Sequence, residues 1–178
     1  MVKLRPMFKF LSDNYSGNLI GVEIGVRGGL HSKTVLESLT NINKLYLVDP
    51  YKDYICKSGR LEIVAPWKEV SRCIMTSFNF DKRIEWIYKK SDDAVVFIPN
   101  NLDFVYIDGL HIYNQVYRDI YNYYPKIKKG GIIGGHDFNR NHPGVKRAVK
   151  DFCRDNKIHF HKNNWSRDTV FHDWWIVK

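Results

Sequence analysis

Two short segments, IDGLH at 107–111 and GGHDF at 134–138, concentrate the side chains of this sequence best suited to chemistry. Each runs out of an apolar stretch into a carboxylate: Asp108, followed by Gly109 and His111, and Asp137, preceded by His136. Two carboxylates held close together repel unless a cation lies between them or one takes up a proton. An oxygen-rich pair with open, water-filled positions suits Mg2+ or Mn2+, and His136 adds a nitrogen to such a set. His111 has the intrinsic pKa to take a proton from a substrate hydroxyl. The same residues also carry structural readings. Asp108-Gly109 is turn chemistry, His111 opens a helix, His136 is a donor to a backbone carbonyl, and Asp137 is a cap.

A third segment, VEIGVRGG at 22–29, places Glu23 before a turn containing Gly25, Gly28 and Gly29. Glycines there let the backbone approach a ligand, and a following helix presents its positive end. A dinucleotide site would show GxGxxG. The ExGxxGG spacing instead sets a carboxylate where it would repel a pyrophosphate but help hold a ligand with ammonium and sulfonium charges. Asp49 closes the next apolar run, where a carboxylate can accept hydrogen bonds from ribose hydroxyls.

The elements that must position these groups follow from apolar runs alternating with helix-period segments. Strands are expected at Asn18–Gly25, Lys44–Asp49, Ile84–Tyr88, Leu102–Asp108 and Gly131–His136. Helices are expected at Leu30–Leu39, across most of Arg60–Phe80 with Pro66 at an internal boundary, Asp92–Ile98, His111–Tyr124 and Val145–Asp155. Ile158–His161 and Thr169–Val177 read as two further strands with no helix between them. This alternation predicts an α/β fold: a Rossmann-like, doubly wound, mainly parallel sheet with an antiparallel C-terminal addition. In such sheets the ligand crevice lies beyond the carboxyl ends of the strands. There the sequence places Glu23–Gly29, Asp49, Ser91–Asp92, Asp108–His111 and His136–Asp137.

Length and composition agree. A chain of 178 residues with 44% apolar and 15% aromatic content excludes disorder and suits one domain spanning 1–178. Three scattered cysteines, with no CxxC pair, argue against a disulfide scaffold or zinc ribbon and fit a reducing, cytoplasmic setting. No apolar stretch approaches the ~20 residues of a membrane span. The formal charge of +9 comes largely from residues 126–167, which hold eleven Lys and Arg against three Asp. That surplus reads as a solvated helix face, or as the footprint of a nucleic-acid-binding module without catalysis.

These motifs together resemble a small class I S-adenosylmethionine-dependent methyltransferase, closest to the metal-assisted sugar and antibiotic O-methyltransferases with an IDGxH motif. The resemblance covers Leu19–Phe138. It implies that Glu23, Gly25 and Gly28 cradle the methionine part of S-adenosylmethionine, that Asp49 holds its ribose, and that Ser91 and Asp92 meet its adenine. It implies Asp108 at the cofactor and as a Mg2+ ligand with Asp137, His136 as a third ligand, and His111 as the base acting on a small hydroxyl-bearing acceptor. Several relatives carry a second carboxylate where this chain has His136. Relatives also often carry a longer N-terminal lid, so closure here is expected from Pro50–Phe80, from a second subunit of a homo-oligomer, or from a large acceptor.

Overall fold

The computed structural model describes residues 4–55, 61–80, 82–163 and 171–178. In chain order the elements are α1 (Pro6–Asn14), β1 (Leu19–Ile24), α2 (Leu30–Ser38), β2 (Ile42–Val48), β3 (Tyr54–Ile55), β4 (Leu61–Glu62), α3 (Trp67–Ser77), β5 (Ile84–Ile87), α4 (Ser91–Ala94), β6 (Leu102–Ile107), α5 (Tyr113–Tyr123), β7 (Ile127–Gly135), α6 (Pro143–Asp155), β8 (His161–Lys162) and β9 (Trp174–Val177). Short 3-10 turns follow α4 and α5.

Seven strands form one sheet in the order β5-β2-β1-β6-β7-β9-β8. From β5 through β7 every pairing is parallel, whereas β9 runs antiparallel to both β7 and β8. The chain leaves the middle of the sheet in two directions, β1 to β2 on one side and β6 to β7 on the other, so the carboxyl ends of β1 and β6 stand side by side. β6 is buried at all six positions, as expected of a central strand covered on both faces. One core layer packs α4, α5 and α6 on the sheet, with Tyr123, Phe152 and Trp174 among its large side chains. The other packs α1, α2 and α3, with Phe8, Phe104 and Tyr106.

The structure departs from the expected elements in four places. Helix α1 was not expected; nine residues with Met7, Phe8 and Leu11 buried on one side form a helix that is held by packing rather than by length. Helix α3 starts only after Pro66, and the expected helical stretch from 60 instead carries β4, which pairs with β3 in a small hairpin. Residues 158–160 are not a strand; β8 is the two residues His161–Lys162. Of the last expected strand only Trp174–Val177 is one, and 169–170 lie outside the described residues. No helix of the described residues is long and apolar enough to cross a membrane.

Candidate active site

Because β1, β2, β6 and β7 are parallel, their carboxyl ends bring the turns after them to one edge of the sheet. The turn after β1 begins with Gly25 at φ +87°, a conformation that side chains other than hydrogen rarely tolerate. A Cβ at this position would lie 2.3 Å from the carbonyl oxygen of Asp108. The first strand's turn and the last residue of the β6 segment are thus in direct backbone contact. Gly28 lies against the Trp67 ring, with Cε3 3.1 Å from where a Cβ would stand, and Arg27 sits over the same ring at 5.5 Å.

Asp49 is buried at the end of β2 and braces this turn. Its Oδ2 accepts hydrogen bonds from the backbone N–H groups of Val26 (3.0 Å) and Arg27 (2.9 Å), and Oδ1 accepts from Tyr51 N–H (2.8 Å). Glu23 is buried beneath the turn with Oε1 3.0 Å from Nδ1 of His31, a first-turn residue of α2. The other ring nitrogen of His31 is buried without a partner. Ser91 and Asp92 begin α4 and belong to a network with α5. Ser91 Oγ donates to Asp119 (2.5 Å), Gln115 donates to Ser91 (3.1 Å), and Asp92 pairs with Arg118 (3.2 Å).

Asp108, His111, His136 and Asp137 converge. His111 Nε2 stands 3.4 Å from Asp108 Oδ1 and 3.4 Å from Asp137 Oδ2. His136 Nδ1 lies 3.0 Å from Asp137 Oδ1 and leaves its Nε2 buried without a partner. One ligand atom from each of Asp108, His136 and Asp137 falls within 4.8 Å of the others. Two carboxylates and an imidazole with an idle nitrogen make a donor set that fits a divalent cation. Burial pushes the Asp137 carboxyl up, but the hydrogen bond from His136 and the neighbouring imidazoles outweigh it and hold the group at about 2. At His111 burial acts downward, and the hydrogen bond and charge of Asp108 with the charge of Asp137 overcome it, so its pKa lies above the ordinary 6.5. Asp137 holds its side chain in place from a left-handed backbone, φ +60°, which aspartate tolerates better than most residues.

Two residues at this cluster carried no sequence signal for it. Arg5, the N-cap of α1, pairs with Asp108 Oδ2 at 3.2 Å and donates to the Tyr106 hydroxyl at 2.6 Å. His142, the N-cap of α6, brings Nδ1 to 3.5 Å from Asp137 Oδ1, and its ring meets His111 edge-on at 4.8 Å. The Asp-Gly-x-His and His-Asp spacings reveal their own members, whereas Arg5 and His142 arrive only through the packing of α1 and α6.

Residues 22–138 match the family described as a methyltransferase domain. An uncharacterized protein of Acanthamoeba polyphaga mimivirus is 30% identical over 147 residues. The match takes in 78% of this chain and 61% of that protein, so the chain spans less than two thirds of its curated relative. Among solved structures, the O-methyltransferase from Bacillus cereus in complex with S-adenosylhomocysteine superposes with a TM-score of 0.71. It shares 13% identity, over 97% of this chain and 79% of that one. An rRNA methylase from Streptococcus thermophilus gives 0.68 at 14% identity, over 100% of this chain and 98% of that one. At these identities the likeness is one of fold.

Proposed function

This chain belongs to the methyltransferase domain family of class I, S-adenosylmethionine-dependent enzymes; from that premise we propose that it transfers the methyl group to a hydroxyl oxygen of a small acceptor, with His111 as the base. The observation that carries the reading is the single nitrogen of His111 placed 3.4 Å from both Asp108 and Asp137, beside the turn that Gly25 makes against Asp108.

In this reading the cofactor's methionine part lies over Glu23, Gly25 and Gly28, with Asp49 toward its ribose and Ser91 and Asp92 toward its adenine. The buried carboxylates of Glu23 and Asp49 at the turn suit a ligand carrying ammonium and sulfonium charges. The sulfonium already supplies the reactive methyl, so the protein's work is to set the acceptor oxygen in line behind it. His111 takes the hydroxyl proton at Nε2, and the imidazolium formed is stabilised by Asp108 and Asp137 on either side. S-adenosylmethionine would give up its methyl group to that oxygen and would leave as S-adenosylhomocysteine. Asp108, His136 and Asp137 are the residues that would hold Mg2+, which when bound lowers the acceptor's pKa and orients it. Arg5 positions Asp108 by pairing with its outer oxygen.

Two measurements test this reading. Calorimetry should detect binding of S-adenosylmethionine and S-adenosylhomocysteine but not NAD. Asp108→Asn should abolish turnover while leaving cofactor affinity nearly intact; loss of both together would mean that Asp108 only shapes the fold. A second reading, a polyanionic acceptor, is favoured by the groove that Arg140, Pro143, Lys146, Arg147 and Lys150 line next to His142. Arg147 is engaged there by Asp151. A binding constant for RNA that falls steeply with added salt would support it.

A further inference from the structure

We propose that His111, Asp137 and His142 form a second cation site, sharing Asp137 with the first, that takes Zn2+ or Co2+ in preference to Mg2+. The methyl-transfer reading enters only through the consequence: an ion held there engages the lone pair His111 needs as a base, so a zinc-type ion switches the base off.

One ligand atom from each of these three residues lies within 4.8 Å of the others. The two imidazoles meet different oxygens of Asp137, so a shared ion needs a small turn of that carboxylate. An ion with bonds of about 2.0–2.2 Å in tetrahedral geometry separates its ligand atoms by roughly 3.3–3.6 Å. His111 Nε2 stands 3.4 Å from Asp137 Oδ2, and His142 Nδ1 stands 3.5 Å from Asp137 Oδ1. The two rings meet edge to face at 62°, with centroids 4.8 Å apart.

The chemistry separates this set from the Asp108 site. Two imidazoles and one carboxylate suit Zn2+, Co2+ and their neighbours, whereas Mg2+ prefers oxygen ligands and retained water. The Asp108 site also faces a resident cation, since the half-buried Arg5 guanidinium is 3.2 Å from Asp108 Oδ2. Among the described residues no Arg or Lys pairs with His111, Asp137 or His142. Their other contacts include His136 Nδ1, 3.0 Å from Asp137 Oδ1, and Asp108 Oδ1, 3.4 Å from His111 Nε2; Asn139 Nδ2 donates to Asp137 Oδ1 at 3.1 Å, and Asn139 Oδ1 lies 3.2 Å from His142 Nδ1. Asn139 Oδ1 also accepts from the backbone N–H groups of Asn141 at 2.9 Å and His142 at 3.1 Å, which fixes the turn that presents His142. The ligands sit in the turn after β6, the turn after β7 and the cap of α6, so the site is assembled by the fold.

The test titrates the full chain with Co2+ alone and follows visible absorption, then adds Zn2+ or Mg2+. Ligand-field bands should appear with Co2+, be displaced by Zn2+ at equal concentration, and withstand a large excess of Mg2+. His142→Gln should weaken Co2+ binding by at least about 10-fold, the lower end of what losing a supporting contact to a metal ligand costs. The cap of α6 has no side-chain hydrogen bond, so this variant should keep the fold, which its melting temperature checks. His136→Gln should keep the Co2+ bands. Equal affinity for Co2+ and Mg2+, unchanged Co2+ binding in His142→Gln, or loss of the bands in His136→Gln would each overturn the proposal. S-adenosylhomocysteine binding, measured in parallel, reports on the methyl-transfer reading separately. Its absence alongside intact Co2+ behaviour would sink that reading and leave this site standing.

Discussion

One ring nitrogen between two carboxylates sets the acid side of the reaction. Burial pulls the His111 pKa down and the neighbouring negative charges push it up by more, so the group holds its proton above the ordinary 6.5. A base must be neutral to act. The rate of methyl transfer should therefore rise with pH through an inflection above 6.5, which a pH profile of kcat/KM reads directly. His111→Gln should lower kcat/KM by about 10²–10⁴-fold, the usual contribution of a positioned base, with S-adenosylhomocysteine affinity unchanged. Gly25→Ala is the severe change at this scale. Its methyl group would meet the Asp108 carbonyl at 2.3 Å on a backbone at φ +87°, so β1 and β6 must part there. Isothermal titration of the variant should show cofactor binding lost, with a lowered Tm.

Among the elements, α1 does the most for its length. Its apolar side buries Met7, Phe8 and Leu11, and its first turn is anchored by Met7 N–H donating to Asp173 Oδ2 at 3.3 Å. Phe8 packs on Phe104 and Tyr106 at ring distances of 5.5 and 5.0 Å, which ties the helix to the middle of the sheet. Phe8→Ala should cost about 3–5 kcal/mol, the range for truncating a buried aromatic, as measured by urea unfolding. The same change should loosen Arg5, and with it the pairing at Asp108. The nine residues of α1 are legible after the fact in Pro6 at the first helical position and in the spacing of Met7, Phe8 and Leu11. They were missed because a helix this short is stabilised by the face it packs on, which local pattern does not reveal.

At the scale of the whole molecule, a buried acid stands behind Ser91. Asp119, on α5, is raised to about 6, chiefly by burial, against the hydrogen bonds from Ser91 and Gln115 that lower it. A folded-state pKa above the unfolded one means that the folded chain holds this proton more tightly. Its contribution to stability is therefore full below about 4 and is lost as pH rises through about 6. The shift corresponds to about 3 kcal/mol by linkage, as an upper bound. Asp119→Asn should gain on the parent between pH 4 and 7 in urea melts, with most of the change below pH 6.5.

The order of strands and helices, the crossover edge and the two motifs that end in Asp108 and Asp137 were all readable in the residues. Apolar runs and turn glycines act over a few neighbours, and parallel strands must deliver their carboxyl ends to one edge. Helix α3 came out shorter than its apolar pattern because Pro66 sets where it starts, whereas no local pattern marks that only His161 and Lys162 pair with β9. What only the tertiary structure decided is which groups face Asp108 and Asp137. Arg5 and His142 lie 103 and five residues from those carboxylates in sequence, and each is brought in as the cap of a helix whose buried face was satisfied elsewhere. Long-range packing chooses such partners, since no local pattern records where a helix end will come to rest.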